Sequence, residues 1–180
     1  MEATLIEATQ DKLAEARFFL RHLKDEAGKV VRQDPAAFGH YLSAFISAAR
    51  SVPWVLQNEE KAKYDAWLPK WDDRLTNEER ELLKFTNQRR VDETKRKGAD
   101  TSVNWKYVSI YELPTEQYRM FEGSAPVPPL TVKDARLSRP VVGFPVHSFE
   151  QGDKPNVLET CKSYLAYLEK FVEAFVKAHT

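Results

Sequence analysis

The largest concentration of groups able to hold a phosphate lies between residues 80 and 97. Lys84, Arg89, Arg90, Lys95, Arg96 and Lys97, with Arg80 ahead of them, stand against Glu81, Asp92 and Glu93, seven less three, a local excess of four positive charges. A strip of this kind neutralises backbone phosphates and makes RNA binding fall as salt rises. Cations near a helix C-terminus also complement its dipole, so a solvated helix end is the plain alternative. Holding a phosphate is not cleaving one. Cleavage without a metal needs a group that exchanges protons near neutral pH, and imidazole suits that best. The four histidines, His22, His40, His147 and His179, are scattered along the chain. No two have metal-ligand spacing, and the single cysteine, Cys161, is near none of them. The sequence implies no metal and no cofactor.

Other residues have a chemical and a structural reading. His147 folding back toward Arg89 would bring an imidazole to the basic strip. His40 reads as a hydrogen-bonded histidine between helices. Arg50 interrupts a small and apolar run, and the expected partner is Glu15 or Asp11 on the helix before; a ligand-binding arginine in a cleft is the alternative. Trp54, Trp67, Trp71, Trp105, Tyr107 and Tyr111 read as core between helices and a covering hairpin, or else as a surface for stacking bases. Cys161 lies on an apolar stripe and reads as inert packing. Asp72 and Asp73 are adjacent, so a helix would splay them by about 100° and make a poor metal pair. Neither a glycine-rich phosphate loop nor a G-x-S-x-G turn occurs.

The elements that must position these groups are helices. From Asp34 to Gln57 the residues Phe38, Tyr41, Leu42, Phe45, Ala49, Val52 and Leu56 recur every three or four positions, the period of one helix face. Ser43, Ala44, Ser47, Ala48 and Ser51 run beside them and would let a neighbouring backbone approach. Asp34 followed by Pro35 is a start signal. Pro53 is expected to kink or break the helix near Ala49. A first helix over Thr9 to Ala27, closed by Gly28, turns Leu13, Ala16, Leu20 and Leu23 inward. A third, from Glu59 to Trp71, carries Tyr64, Trp67, Leu68 and Trp71, with Pro69 limiting its length. Thr76 and Glu79 form a capping-box pattern for a fourth that ends at Gly98. The last helix follows Asn156, with Glu159 completing a capping pair and Leu158, Cys161, Leu165, Leu168, Val172 and Phe175 as its stripe.

Between them the character changes. The segments NWKYVSIYEL, PLTVKDARL and RPVVGFPVHSF read as short strands, with Pro140 and Pro145 favouring edges. Six prolines in this stretch argue against an independent core. The chain therefore reads as one mainly α domain: a helical core over 1–98, a small β or extended insertion over 99–152, and a C-terminal helix over 153–180 packing on the core. Its 27 Lys and Arg balance 27 Asp and Glu, so the whole chain has no electrostatic commitment to nucleic acid or membrane. No apolar run reaches the length of a membrane span. An acidic N-terminus and a lone cysteine make a cytoplasmic protein the expectation.

Three runs, EARFFLRHL, FGHYLSAFISAARSVPWVLQ and ELLKFTNQRRVDETKR, resemble helical bacterial proteins of the HEPN superfamily. The resemblance covers roughly Ala8 to Gly98. It implies a four- to five-helix bundle, a homodimer, and either RNA cleavage at a shared Arg and His cleft or partnership with a nucleotidyltransferase or antitoxin-like protein. Arg89 falls on the motif arginine and Arg90 stands in place of the usual Asn. Thr94 occupies the position of the motif His, and the register shifted by one offers Lys95. With no imidazole there, the resemblance implies a non-catalytic binding module that acts through a partner protein or RNA. The alternative is a metal-independent endoribonuclease of the toxin or defence type, using Arg89 or Arg90 with an imidazole such as that of His147.

Overall fold

The computed structural model describes residues 6–29, 35–95, 102–109, 141–148 and 156–180, with side chains for 6–29, 36–88 and 156–180. Five helices account for most of them: α1 (Glu7–Ala27), α2 (Pro35–Glu59), α3 (Lys61–Asp72), α4 (Asn77–Lys95) and α5 (Val157–His179). Two strands, β1 (Ser102–Ser109) and β2 (Val141–Ser148), pair antiparallel with Ser102 opposite Ser148 and Ser109 opposite Val141. The remainder of the 99–152 segment lies outside the described residues, including PLTVKDARL and Tyr111.

The apolar stripes do what their period dictates. Leu13, Ala16, Leu20 and Leu23 of α1 meet Phe38, Leu42, Phe45, Ala49, Val52 and Leu56 of α2, and all are buried. On α5 the stripe runs Cys161, Leu165, Leu168, Val172 and Phe175, widened by Tyr164, Tyr167 and Phe171; Leu158 at its start is only partly buried. Each fully buried Leu, Val or Phe contributes about 1.5–3 kcal/mol relative to an exposed one. α2 touches every other helix, as a central helix should.

The ends of the helices are specified by polar side chains. Thr76 and Glu79 cap α4 reciprocally: the Thr76 N–H donates to Glu79 Oε2 at 2.9 Å and the Glu79 N–H donates to Thr76 Oγ1 at 3.2 Å. Asn156 Oδ1 accepts from the N–H groups of Leu158 and Glu159, while the Glu159 carboxylate pairs with Lys162. α1 has no local side-chain cap at Ile6. Its cap comes from the far end of α2, where Glu59 accepts from the Ala8 N–H at 2.8 Å, the Thr9 N–H at 3.0 Å and the Thr9 hydroxyl at 2.5 Å. A carboxylate at a helix N-terminus satisfies unpaired amides and also suits the dipole.

Several expectations are corrected. Of the kink or break expected at Pro53, the break does not occur: α2 runs on to Glu59, two residues past the expected Gln57. The proline removes the bond that its own amide would make to Ala49, while Val52 and Leu56, both fully buried, hold the segments on either side in place. α3 begins at Lys61 rather than Glu59, with Glu60 as its N-cap position, and ends at Asp72, one residue past the expected Trp71. Along the small-residue row of α2, Ala48 is buried, Ala44 and Ser51 are half-buried, and Ser43 and Ser47 are exposed. Asp34 and Gly98 lie outside the described residues.

Candidate functional site

α3 and α5 build the densest part of the core from rings. Trp67 lies edge-on to Phe171 at 5.1 Å and to Phe175 at 5.3 Å, and stacks on Trp71 at 5.3 Å. Tyr64 adds a further edge contact to Phe171, and the Trp71 Nε1–H donates to Tyr167 Oη at 3.1 Å. These rings are core, so the stacking-surface reading fails for Trp67 and Trp71. Burial, helped by Asp72, pushes the Tyr64 hydroxyl up to about 12.

The chemically open part of the molecule is the seam between α2 and α4. Arg50 does not reach Asp11 or Glu15. Its Nη1 donates to Asn87 Oδ1 of α4 at 2.7 Å, and Glu15 pairs instead with Lys12 of its own helix at 2.5 Å. The reason is rotational: Arg50 lies about 120° round from Phe38, on the flank of α2 turned away from α1. Under the seam, Thr86 and Phe85 of α4 close with Phe45, Ile46, Thr160, Cys161 and Tyr164 around a small apolar cleft. Burial pushes the Tyr164 hydroxyl up to about 12, against the lowering pull of the Arg50 charge and a hydrogen bond with Thr86. Burial also pushes the Cys161 thiol up, which leaves it a neutral packing group.

α4 is fixed at its start and open along its length. The Lys170 ammonium donates to Glu79 Oε1 at 2.6 Å and lies over the Trp71 ring at 5.8 Å. This bond, with the Thr76 N–H, holds the Glu79 carboxyl below its ordinary range. Between α4 and α5 lies an open groove of about 490 Å³ lined by Glu78, Leu82, Ser163, Ala166 and Tyr167, with the Glu79–Lys170 pair at one side. Leu82, Leu83, Phe85 and Thr86 are half-buried. Lys84 is exposed and, among the described residues, makes no ion pair or hydrogen bond. The α4 backbone carries Arg89, Arg90 and Lys95 in continuous helix; their side chains, and all of Arg96 and Lys97, lie outside the described residues.

The other candidates separate. His147 sits on β2 opposite Val103, and its side chain lies outside the described residues, as do those of Trp105 and Tyr107 on β1. His40 is exposed and makes no hydrogen bond among the described residues, contrary to the interfacial reading. His22 stacks on Tyr41 at 5.0 Å, and His179 Nδ1 meets the Phe175 carbonyl at 2.8 Å. Trp54 is 60% exposed, so it is not core. Asp72 and Asp73 belong to no metal-binding group among the described residues, and burial raises the Asp72 carboxyl while Arg80 lowers it. No described helix is long and apolar enough to cross a membrane.

Sequence reasoning missed Asn87 and Glu59, whose roles depend on which helix stands opposite. It had the signal for Trp54: at about 100° per residue, that position lies about 180° round from Phe45. The chain matches no family model, no curated protein and no solved structure.

Proposed function

We propose that this chain is a non-catalytic, HEPN-like binding module that holds RNA along α4, with the 99–152 segment as an insertion before the last helix. The observation that carries the reading is the continuous α4 helix, on which an exposed Lys84, without an ion pair among the described residues, is followed by Arg89, Arg90 and Lys95. Several other cations are tied to carboxylates, Lys12 to Glu15, Lys29 to Glu26, Lys61 to Asp65, Lys162 to Glu159 and Arg17 to Glu169, while the exposed Lys24, Lys70, Arg74 and Lys177 share with Lys84 the lack of an ion pair among the described residues. A cation without a carboxylate keeps its charge available for phosphate. Thr94 at the motif-His position supports binding without cleavage, because neither a threonine nor the neighbouring Lys95 shuttles protons near neutral pH.

The test is anisotropy of labelled single-stranded RNA at low and moderate salt, for the parent and for Lys84→Ala, Arg89→Ala, Arg90→Ala combined. The parent binds, affinity falls with salt, and the triple variant binds at least about tenfold more weakly, as losing three phosphate contacts requires. The RNA stays intact in EDTA. Absence of salt-dependent binding by the parent overturns the RNA reading, and cleavage that disappears in the triple variant replaces it with the nuclease.

A further inference from the structure

α2 presents one large aromatic ring to solvent. Trp54 is 60% exposed and makes no ring or cation contact among the described residues. Phe18, 46% exposed, differs in kind, because Phe19, His22 and the Arg21 guanidinium surround it. Trp54 follows Arg50 by one helical turn, a rise of about 6 Å on the same flank of α2. Arg50 is the residue that reaches across to Asn87 on α4, one turn beyond Lys84. From Pro35 to Asn58 the sequence of α2 contains no carboxylate, so nothing on this helix before Glu59 repels a phosphate. An aromatic face, a guanidinium beside it and a basic helix across the seam are the parts of a surface that tracks a single strand.

We propose that Trp54 stacks a base of single-stranded RNA whose backbone lies against Arg50 and Lys84 at the α2–α4 seam. The inference rests on the RNA reading above and adds to it a residue, a helix and a strand state. Stacking is tolerant of sequence, since every base has a π-face, whereas a duplex hides those faces. The surface therefore prefers unpaired RNA and discriminates little between bases.

The experiment compares an oligouridylate of about 10 nucleotides, within the usual span of such surfaces, with an abasic ribose-phosphate chain of equal length. Both are titrated into the parent, Trp54→Ala and Trp54→Phe, with circular dichroism to confirm helix content. Trp54→Ala is expected to weaken oligouridylate binding at least about fivefold and to leave the abasic chain unchanged, with Trp54→Phe close to the parent. Equal oligouridylate affinity in parent and Trp54→Ala overturns the stacking role while the RNA reading stands. Equal loss on both chains also overturns it, by assigning the ring to structure. Trp54→Ala that binds RNA like the parent but loses self-association assigns the ring to a second copy and overturns it too. A parent that binds neither chain overturns the RNA reading and the stacking role together.

Discussion

The α3–α5 ring cluster and the α2–α4 seam use similar residue types to opposite ends. In the cluster, Trp67, Trp71, Tyr64 and Phe171 are buried against one another, and even the indole N–H of Trp71 has an internal acceptor in Tyr167. At the seam, a tryptophan of the same type stands in solvent, an arginine reaches from α2 to Asn87 of α4, and Lys84 makes no ion pair among the described residues. Rings enclosed by rings stabilise; rings beside cations at an edge are available to something else. The difference separates a closed cluster from an open seam.

The comparison breaks most visibly in the cluster. Phe171→Ala removes a ring that meets Tyr64, Trp67, Trp71 and Tyr167, and should cost about 3–5 kcal/mol in urea denaturation, the usual loss for a buried phenylalanine. At the seam, by contrast, Asn87→Ala should change stability by less than about 0.5 kcal/mol, as for an ordinary surface position. A large loss there would sink the division between a closed cluster and an open seam.

Alkaline titration separates the regions less strongly. Tyr64 in the cluster and Tyr164 under the seam both have hydroxyls raised from 10.0 to about 12. The folded state thus keeps protons that the unfolded chain has already released. Their contribution is complete below pH 10 and is lost as pH rises from 10 toward 12. Tyr164→Phe should flatten part of this alkaline decline in thermal melts, and an unchanged slope would count against its burial as a neutral group.

A modest effect is expected at the start of α4. Thr76→Ala should cost about 1 kcal/mol through the lost cap. Glu79, held below its ordinary range by Lys170 and the Thr76 N–H, contributes stability above the unfolded carboxylate value and loses it as pH falls through its folded one. Glu79→Gln should therefore make acid unfolding less steep, read by circular dichroism during acid titration.

How much of this was legible follows from what periodicity encodes. The repeat of Phe38, Leu42, Phe45, Ala49, Val52 and Leu56 states which face of α2 turns inward, and those residues are all buried. Thr76 with Glu79 and Asn156 with the amides after it are local signals, read within four residues. Arg50 was different. Its partner depends on which helix flanks α2 at that turn, and no local pattern says that α4 rather than α1 lies there. Of the two outcomes expected at Pro53, a kink or a break, the break does not occur, since Val52 and Leu56 are buried on either side. The exposure of Trp54 was encoded in its angle from Phe45, yet residue type argued for core and outweighed the angle.

The Glu59 clasp has a consequence for how the molecule breathes. The first amides of a helix ordinarily exchange with solvent hydrogen almost as fast as those of an open chain. Here the amides of Ala8 and Thr9 are held by a side chain 51 and 50 residues away. Fraying of the last turn of α2 would carry the Glu59 carboxylate away from them, so the two ends should exchange in concert. The start of α1 thus reports, in its exchange rate, on the integrity of the end of α2.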